Sequence, residues 1–151
     1  MKRQTDAARG ANSPYSFITY YQTLYGTRDV LWPLVRRGVI DVPPMESAGD
    51  RNVIEIYPAG TLRRLDTVAT RYKTDTENAR KRRKRILEAL LAQDTDGPTL
   101  GISPAIRRTT VNEPGGDALD SVIAAVAAAR AVAQQFEPET AFDRREGYIY
   151  V

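Results

Sequence analysis

Gly115-Gly116-Asp117-Ala118-Leu119-Asp120, with the alanine-rich run that follows it through Ala133, is the stretch on which the reading of this chain turns. It reads as a loop that becomes a helix with two carboxylates on its first turn. Residues three apart share a helix face, so Asp117 and Asp120 are expected side by side. Two oxygen ligands at that spacing can share a hard divalent cation. The simpler alternative is that Asp117 caps the helix and Asp120 interacts with its N-terminal dipole.

Glu55 bears on that choice. Asn52-Val53-Ile54-Glu55-Ile56-Tyr57 is the clearest strand candidate, and its near-continuous apolarity predicts burial on both faces. A glutamate inside such a strand is costly unless it is paired or binds a cation. An edge-strand glutamate facing water is the alternative.

The composition restricts the chemistry. Among 151 residues there is no cysteine and no histidine. Disulfides, thiolate zinc sites, cysteine nucleophiles, the serine–histidine triad and imidazole ligands are therefore excluded. Metal chemistry would have to use oxygen ligands and a hard ion such as Mg²⁺ or Mn²⁺. The chain is 42% hydrophobic and 27% charged, as expected of one globular domain. No apolar run approaches a bilayer span, so no membrane partner is expected. The basic N-terminus, Met1-Lys2-Arg3, is followed by no apolar core of a signal peptide, and a cytoplasmic location is expected.

The net charge is +3, and Arg80-Lys81-Arg82-Arg83-Lys84-Arg85 concentrates six positive charges in one run. This run opens a long helix expected from Thr76 to Ala92, with Ala79, Ile86, Leu87, Leu90 and Leu91 facing the core. A solvated face and a phosphate-binding groove are the two readings of the run.

Around these segments the expectations are simpler. Residues 1–12 are polar and aperiodic and are expected to be a disordered lead-in. Ser13-Pro14 should start a helix running to Gly26, with Phe17, Tyr20, Tyr21 and Leu24 on one face. A second helical segment is expected from Thr27 to Arg37, with Pro33 kinking it or marking its first turn. Tyr15, Tyr20, Tyr21, Tyr25 and Trp32 could stack on bases, but packing against a sheet is the simpler reading. Residues 41–51 read as a loop and 61–65 as a short helix. A Pro- and Gly-rich segment over 93–116 should hold a short helix near Ser103–Arg108. The alanine-rich helix should run from Asp117 to Gln135, with Leu119, Val122, Ile123 and Val126 as its core stripe. Glu146–Val151 should be a final strand or extended tail.

The order of these motifs resembles a known pattern. Val53-Ile54-Glu55-Ile56-Tyr57-Pro58-Ala59 precedes Tyr72-Lys73, then the arginine-rich helix ending in Ile86-Leu87-Glu88-Ala89-Leu90-Leu91. Asp117-Ala118-Leu119-Asp120 and Glu146-Gly147-Tyr148-Ile149-Tyr150 follow. Over roughly residues 50–151 this is similar to domain-of-unknown-function family 429, whose members are predicted to be ribonuclease H-like nucleases. The aspartate pair before a small-residue helix also resembles the last motif of Holliday-junction resolvases of the same fold.

The resemblance implies an α/β, ribonuclease H-like fold, truncated and helix-rich, because the three-strand meander that opens family members has no counterpart before residue 50. It implies one partial domain over 13–151, with a sheet that is small or completed by a partner chain or a second copy. It implies Glu55, Asp117 and Asp120 as catalytic residues and ligands to Mg²⁺ or Mn²⁺ in phosphodiester hydrolysis. Lys73, Arg80, Lys81, Arg83 and Lys84 would hold nucleic acid. The alternative is a non-catalytic nucleic-acid-binding or oligomerisation module that kept the fold and lost the complete site.

Overall fold

The structure is a computed structural model that describes residues 2–92 and 100–151. It is helix-rich, with one small two-stranded sheet. Strand β1 (Glu55–Ile56) pairs with β2 (Ile149–Tyr150). The described residues group into two compact units. One comprises Met1–Glu55 and Gln134–Tyr150, and the other Ile56–Ala133 with Val151.

In the first unit the expected disordered lead-in is instead a short helix, α1 (Gln4–Arg9), closed by Gly10 at φ 64°. Its polarity is internal. Arg3, Thr5 and Asp6 are buried, and Asp6 accepts both the Arg3 backbone N–H at 2.9 Å and its guanidinium at 2.7 Å. The Ile149 N–H donates to Thr5 Oγ1 at 3.1 Å. Tyr148, Ile149 and Tyr150 are buried, and the rings of Tyr148 and Tyr150 meet edge-on at 4.8 Å. Composition hid this ordering, because the groups that fix α1 lie some 140 residues away.

The expected helix from Pro14 shortens to α2 (Tyr20–Tyr25). Before it the chain makes turns in which the Thr19 and Thr23 hydroxyls donate to the Pro14 carbonyl at 3.0 and 2.8 Å. A π-helical turn, Gly26–Leu31, leads into α3 (Trp32–Arg36), and Pro33 falls in the first turn of α3. Proline has no N–H to donate and its ring disturbs the preceding turn. The helical stretch from Tyr20 to Arg36 contains no buried residue. The expected packing of its aromatic face on a sheet is therefore overturned.

The strand expected over Asn52–Tyr57 contracts to β1 and an isolated parallel bridge between Asp41 and Asn52. Val53 and Glu55 are exposed, so the expected burial on both faces is not realised. Pro58, directly after Tyr57, already opens the next helix.

The second unit is helical: α4 (Pro58–Arg64), α5 (Glu77–Leu91), α6 (Pro104–Asn112) and α7 (Asp117–Ala133). Local chemistry sets the starts of α5 and α6. Thr76 Oγ1 accepts the Ala79 N–H, and Ser103 Oγ accepts the Ile106 N–H, both at 3.2 Å. Leu62, Tyr72, Ile86, Leu87, Leu119 and Ile123 centre the core. On α7, Ala127 and Ala131 are buried beside the expected stripe, and small side chains there allow close packing. The part of the expected 93–116 segment that covers 93–99 lies outside the described residues.

Candidate functional site

The two aspartates open α7, but neither caps it. Glu113, two residues before Gly115, does so from outside the helix. Its carboxylate accepts the N–H groups of Gly115 at 2.6 Å, Asp117 at 2.8 Å and Ala118 at 3.3 Å. Desolvation pushes the Glu113 carboxyl up, but these backbone donors outweigh it and hold the group below the usual glutamate range. Asp117 is left exposed on the first turn.

Asp120 is the centre of a small network in the second unit. Tyr72 is buried, and its hydroxyl donates to Asp120 Oδ1 at 2.7 Å. The Lys73 ammonium pairs with Asp120 Oδ2. Burial, then the bond to the Asp120 carboxylate, push the Tyr72 phenol well above its ordinary value, so it stays a donor. Arg71, just before, holds a left-handed φ of 58°, an uncommon conformation for a residue with a Cβ.

Gly116 makes the arrangement possible. Its φ is 77°, and a Cβ there would lie 2.9 Å from Lys73 Cγ and 3.2 Å from the Tyr72 ring. Only a glycine lets the loop before α7 lie against Tyr72 and Lys73. Together Tyr57, Thr70, Arg71, Tyr72, Lys73 and Asp120 border an open cleft of about 490 Å³.

Glu55, the third expected ligand, belongs to the first unit. Its two oxygens each accept from the Arg3 guanidinium at 2.7 Å. Burial works against the Arg3 charge, but the bonds to Glu55 and Asp6 more than reverse this and raise its pKa. Glu55 is thus the half-exposed end of a buried arginine cluster.

These carboxylates do not fit a two-ion centre as they stand. Both oxygens of Glu55 and both of Asp120 are held by cations or a phenol. Among the described residues no group of three or more acidic side chains is placed to hold a metal ion.

The basic run divides. Arg80, Lys81, Lys84 and Arg85 are exposed on α5. Arg83 is not available to a ligand, contrary to expectation. It is buried, and its guanidinium donates to the carbonyls of Val111 at 2.8 Å, Tyr72 at 2.7 Å and Thr74 at 3.1 Å. It ties α5 to the end of α6 and to the Tyr72–Lys73 loop. The spacing Ala79, Arg83, Ile86, Leu87, Leu90 carried the clue, because residue 83 lies on the apolar stripe. Tyr72 and Glu113 were also missed as site residues. Tyr72 is the only aromatic residue between Pro58 and Phe136, and Glu113 precedes a Pro-Gly-Gly turn into a helix.

Residues 36–143 match the model of a family described as protein of unknown function (DUF429). No curated protein and no solved structure matches the chain.

Proposed function

This chain belongs to the DUF429 family of proteins of unknown function, and for it we propose nucleic-acid binding on a shortened ribonuclease H-like fold. One observation carries the reading: Arg80, Lys81, Lys84 and Arg85 form an exposed stripe on α5, opposite the buried stripe that holds Arg83. Charge is also unevenly divided. The second unit holds thirteen Lys and Arg against nine Asp and Glu, whereas the first holds nine against ten. Phosphodiester backbones are recognised by such cationic surfaces.

The exposed pairs Arg80–Glu77 and Lys84–Glu88 are weak enough to yield to phosphate. Lys73, beside Arg71 at the cleft, adds a cation whose position Asp120 fixes. In this reading Asp120 and Tyr72 hold the shape of the cleft and touch no scissile bond.

Phosphodiester hydrolysis with Mg²⁺ or Mn²⁺ is a second reading. The exposed carboxylate of Asp117, one turn before Asp120 on the same helix, favours it. It requires Lys73 to release Asp120.

Fluorescence anisotropy with labelled single- and double-stranded oligonucleotides, titrated with salt, tests both. Binding should weaken steeply with salt, and Lys81→Ala/Lys84→Ala should flatten the log–log slope by roughly 0.7–0.9 for each phosphate no longer neutralised. The oligonucleotides should stay intact with either ion. No binding at low salt would overturn the proposal. Cleavage by the wild type that Asp120→Ala abolishes would install hydrolysis in its place.

A further inference from the structure

The helical stretch from Tyr20 to Arg36 and the turns before it present an apolar surface that the first unit does not cover. Phe17 is 96% exposed, Ile18 87%, Tyr21 63% and Trp32 56%. Tyr15, Tyr20, Leu24, Tyr25 and Val30 are exposed with them. At about 200 Å² for a fully exposed large side chain, these nine residues present on the order of 1,000 Å².

A short helix that buries nothing is also marginal on its own, because helices in proteins draw most of their stability from packing. We propose that this surface is a self-association face, on which a second copy of the chain packs its own Tyr15–Trp32 segment.

Three observations select a second copy. The first is area, since a standard interface buries about 800 Å² on each partner and the nine exposed side chains together present at least that amount. The second is the placement of charge. From Gly10 to Thr27 there is no charged residue, in a chain that is 27% charged. Arg28, Asp29, Arg36 and Arg37 follow at one end. An aromatic, charge-depleted centre beside a charged rim is the anatomy of protein interfaces.

The absence of cations between Gly10 and Thr27 also disfavours a phosphate backbone, and Ile18, Leu24 and Val30 offer bases nothing to stack on. The third observation is that the rings are already ordered. Tyr21 and Tyr25 stack at 6.1 Å, and the guanidiniums of Arg28 and Arg36 lie over Tyr25 at 4.8 Å and Trp32 at 6.0 Å. Pre-ordered aromatic anchors lose little freedom on association. Residues 10–35 lie outside the matched family region, and self-association through them is independent of nucleic-acid binding.

Sedimentation velocity over a concentration series, with the emission of Trp32, tests the proposal on the full chain. Trp32 is the sole tryptophan and lies inside the face, so its emission reports coverage directly. The wild type should sediment at about twice its 16.8 kDa mass, and its emission should shift to the red on dilution. Phe17→Ser/Ile18→Ser alters side chains the monomer leaves in water, so its circular dichroism should match that of the wild type diluted to monomer. The dimer dissociation constant should rise roughly a hundredfold. Ile106→Ser, at an exposed position on α6, should leave the dimer intact. A wild type that stays monomeric at every concentration overturns the proposal, as does a double variant that dimerises like the wild type. Blue-shifted Trp32 emission of a monomer on phosphatidylcholine vesicles, or its quenching by a single-stranded oligonucleotide, would overturn it in favour of a lipid or nucleic-acid surface.

Discussion

At Gly116 two demands meet: a φ of 77° and no room for a Cβ beside Lys73. Gly116→Ala should lower unfolding free energy by about 2 kcal/mol in urea titrations, since both strain and displacement of the Lys73 stem oppose it. Arg83 is a sharper case. Arg83→Met keeps the buried stem but leaves three carbonyls without their donor, and should cost about 3 kcal/mol in the same measurement. Arg83→Lys should recover little of it, because one ammonium cannot reproduce the fork of a guanidinium. In the first unit, Arg3→Ala would strand Asp6, which is fully buried. A loss of about 3–5 kcal/mol is expected there, read as early melting of the near-ultraviolet tyrosine signal. At this scale the sequence was legible where a residue's place is set by its own helix, as with Asp117 and Asp120 on the first turn of α7. It was opaque at Glu55 and Arg3, whose pairing spans 52 residues. A glutamate in an apolar run invites a cation, and the cation that answers it here is an arginine.

Among the elements, α5, α6 and α7 were legible because their caps and apolar stripes are local. Thr76, Ser103 and the Ala79–Leu90 spacing required no knowledge of the rest of the chain. The cap of α7 was the exception, since Glu113 reaches it across a Pro-Gly-Gly turn. Its pKa is held below the usual glutamate value in the folded state. The stabilisation it provides is therefore complete above the usual carboxylate range, and is lost as pH falls through the lowered pKa. Glu113→Gln should lower the thermal midpoint at neutral pH and shrink the wild type's loss of midpoint on acidification, both followed by circular dichroism at the helix band. The strand over 52–57 and the helix from Pro14 were less legible. A strand is as long as its partners allow, and β1 has one two-residue partner among the described residues. An amphipathic aromatic segment looks the same in sequence whether its cover is its own sheet or another molecule.

On the scale of the whole molecule, the coarse class was readable: helix-rich, with a small sheet, and a member of DUF429. No helix among the described residues is long and apolar enough to cross a membrane. Net charge summarised the chain poorly, because +3 is the sum of a basic unit and a slightly acidic one. Oligonucleotide affinity should accordingly be insensitive to Arg36→Ala/Arg37→Ala in the first unit and should fall with Lys81→Ala/Lys84→Ala in the second, which anisotropy at fixed salt would separate. The division into units also sets a timetable. Ile56–Ala133 is continuous and is synthesised before Gln134–Tyr150, the last segment of the other unit. Arg3 and Thr5 are synthesised more than 140 residues before Glu146 and Ile149, which help to hold them. Until then α1 lacks the Glu146 carbonyl that accepts from Arg3 and the Ile149 N–H that donates to Thr5. A nascent chain arrested at residue 140 should therefore be cut by protease within residues 2–9 and protected there once residue 151 clears the exit tunnel.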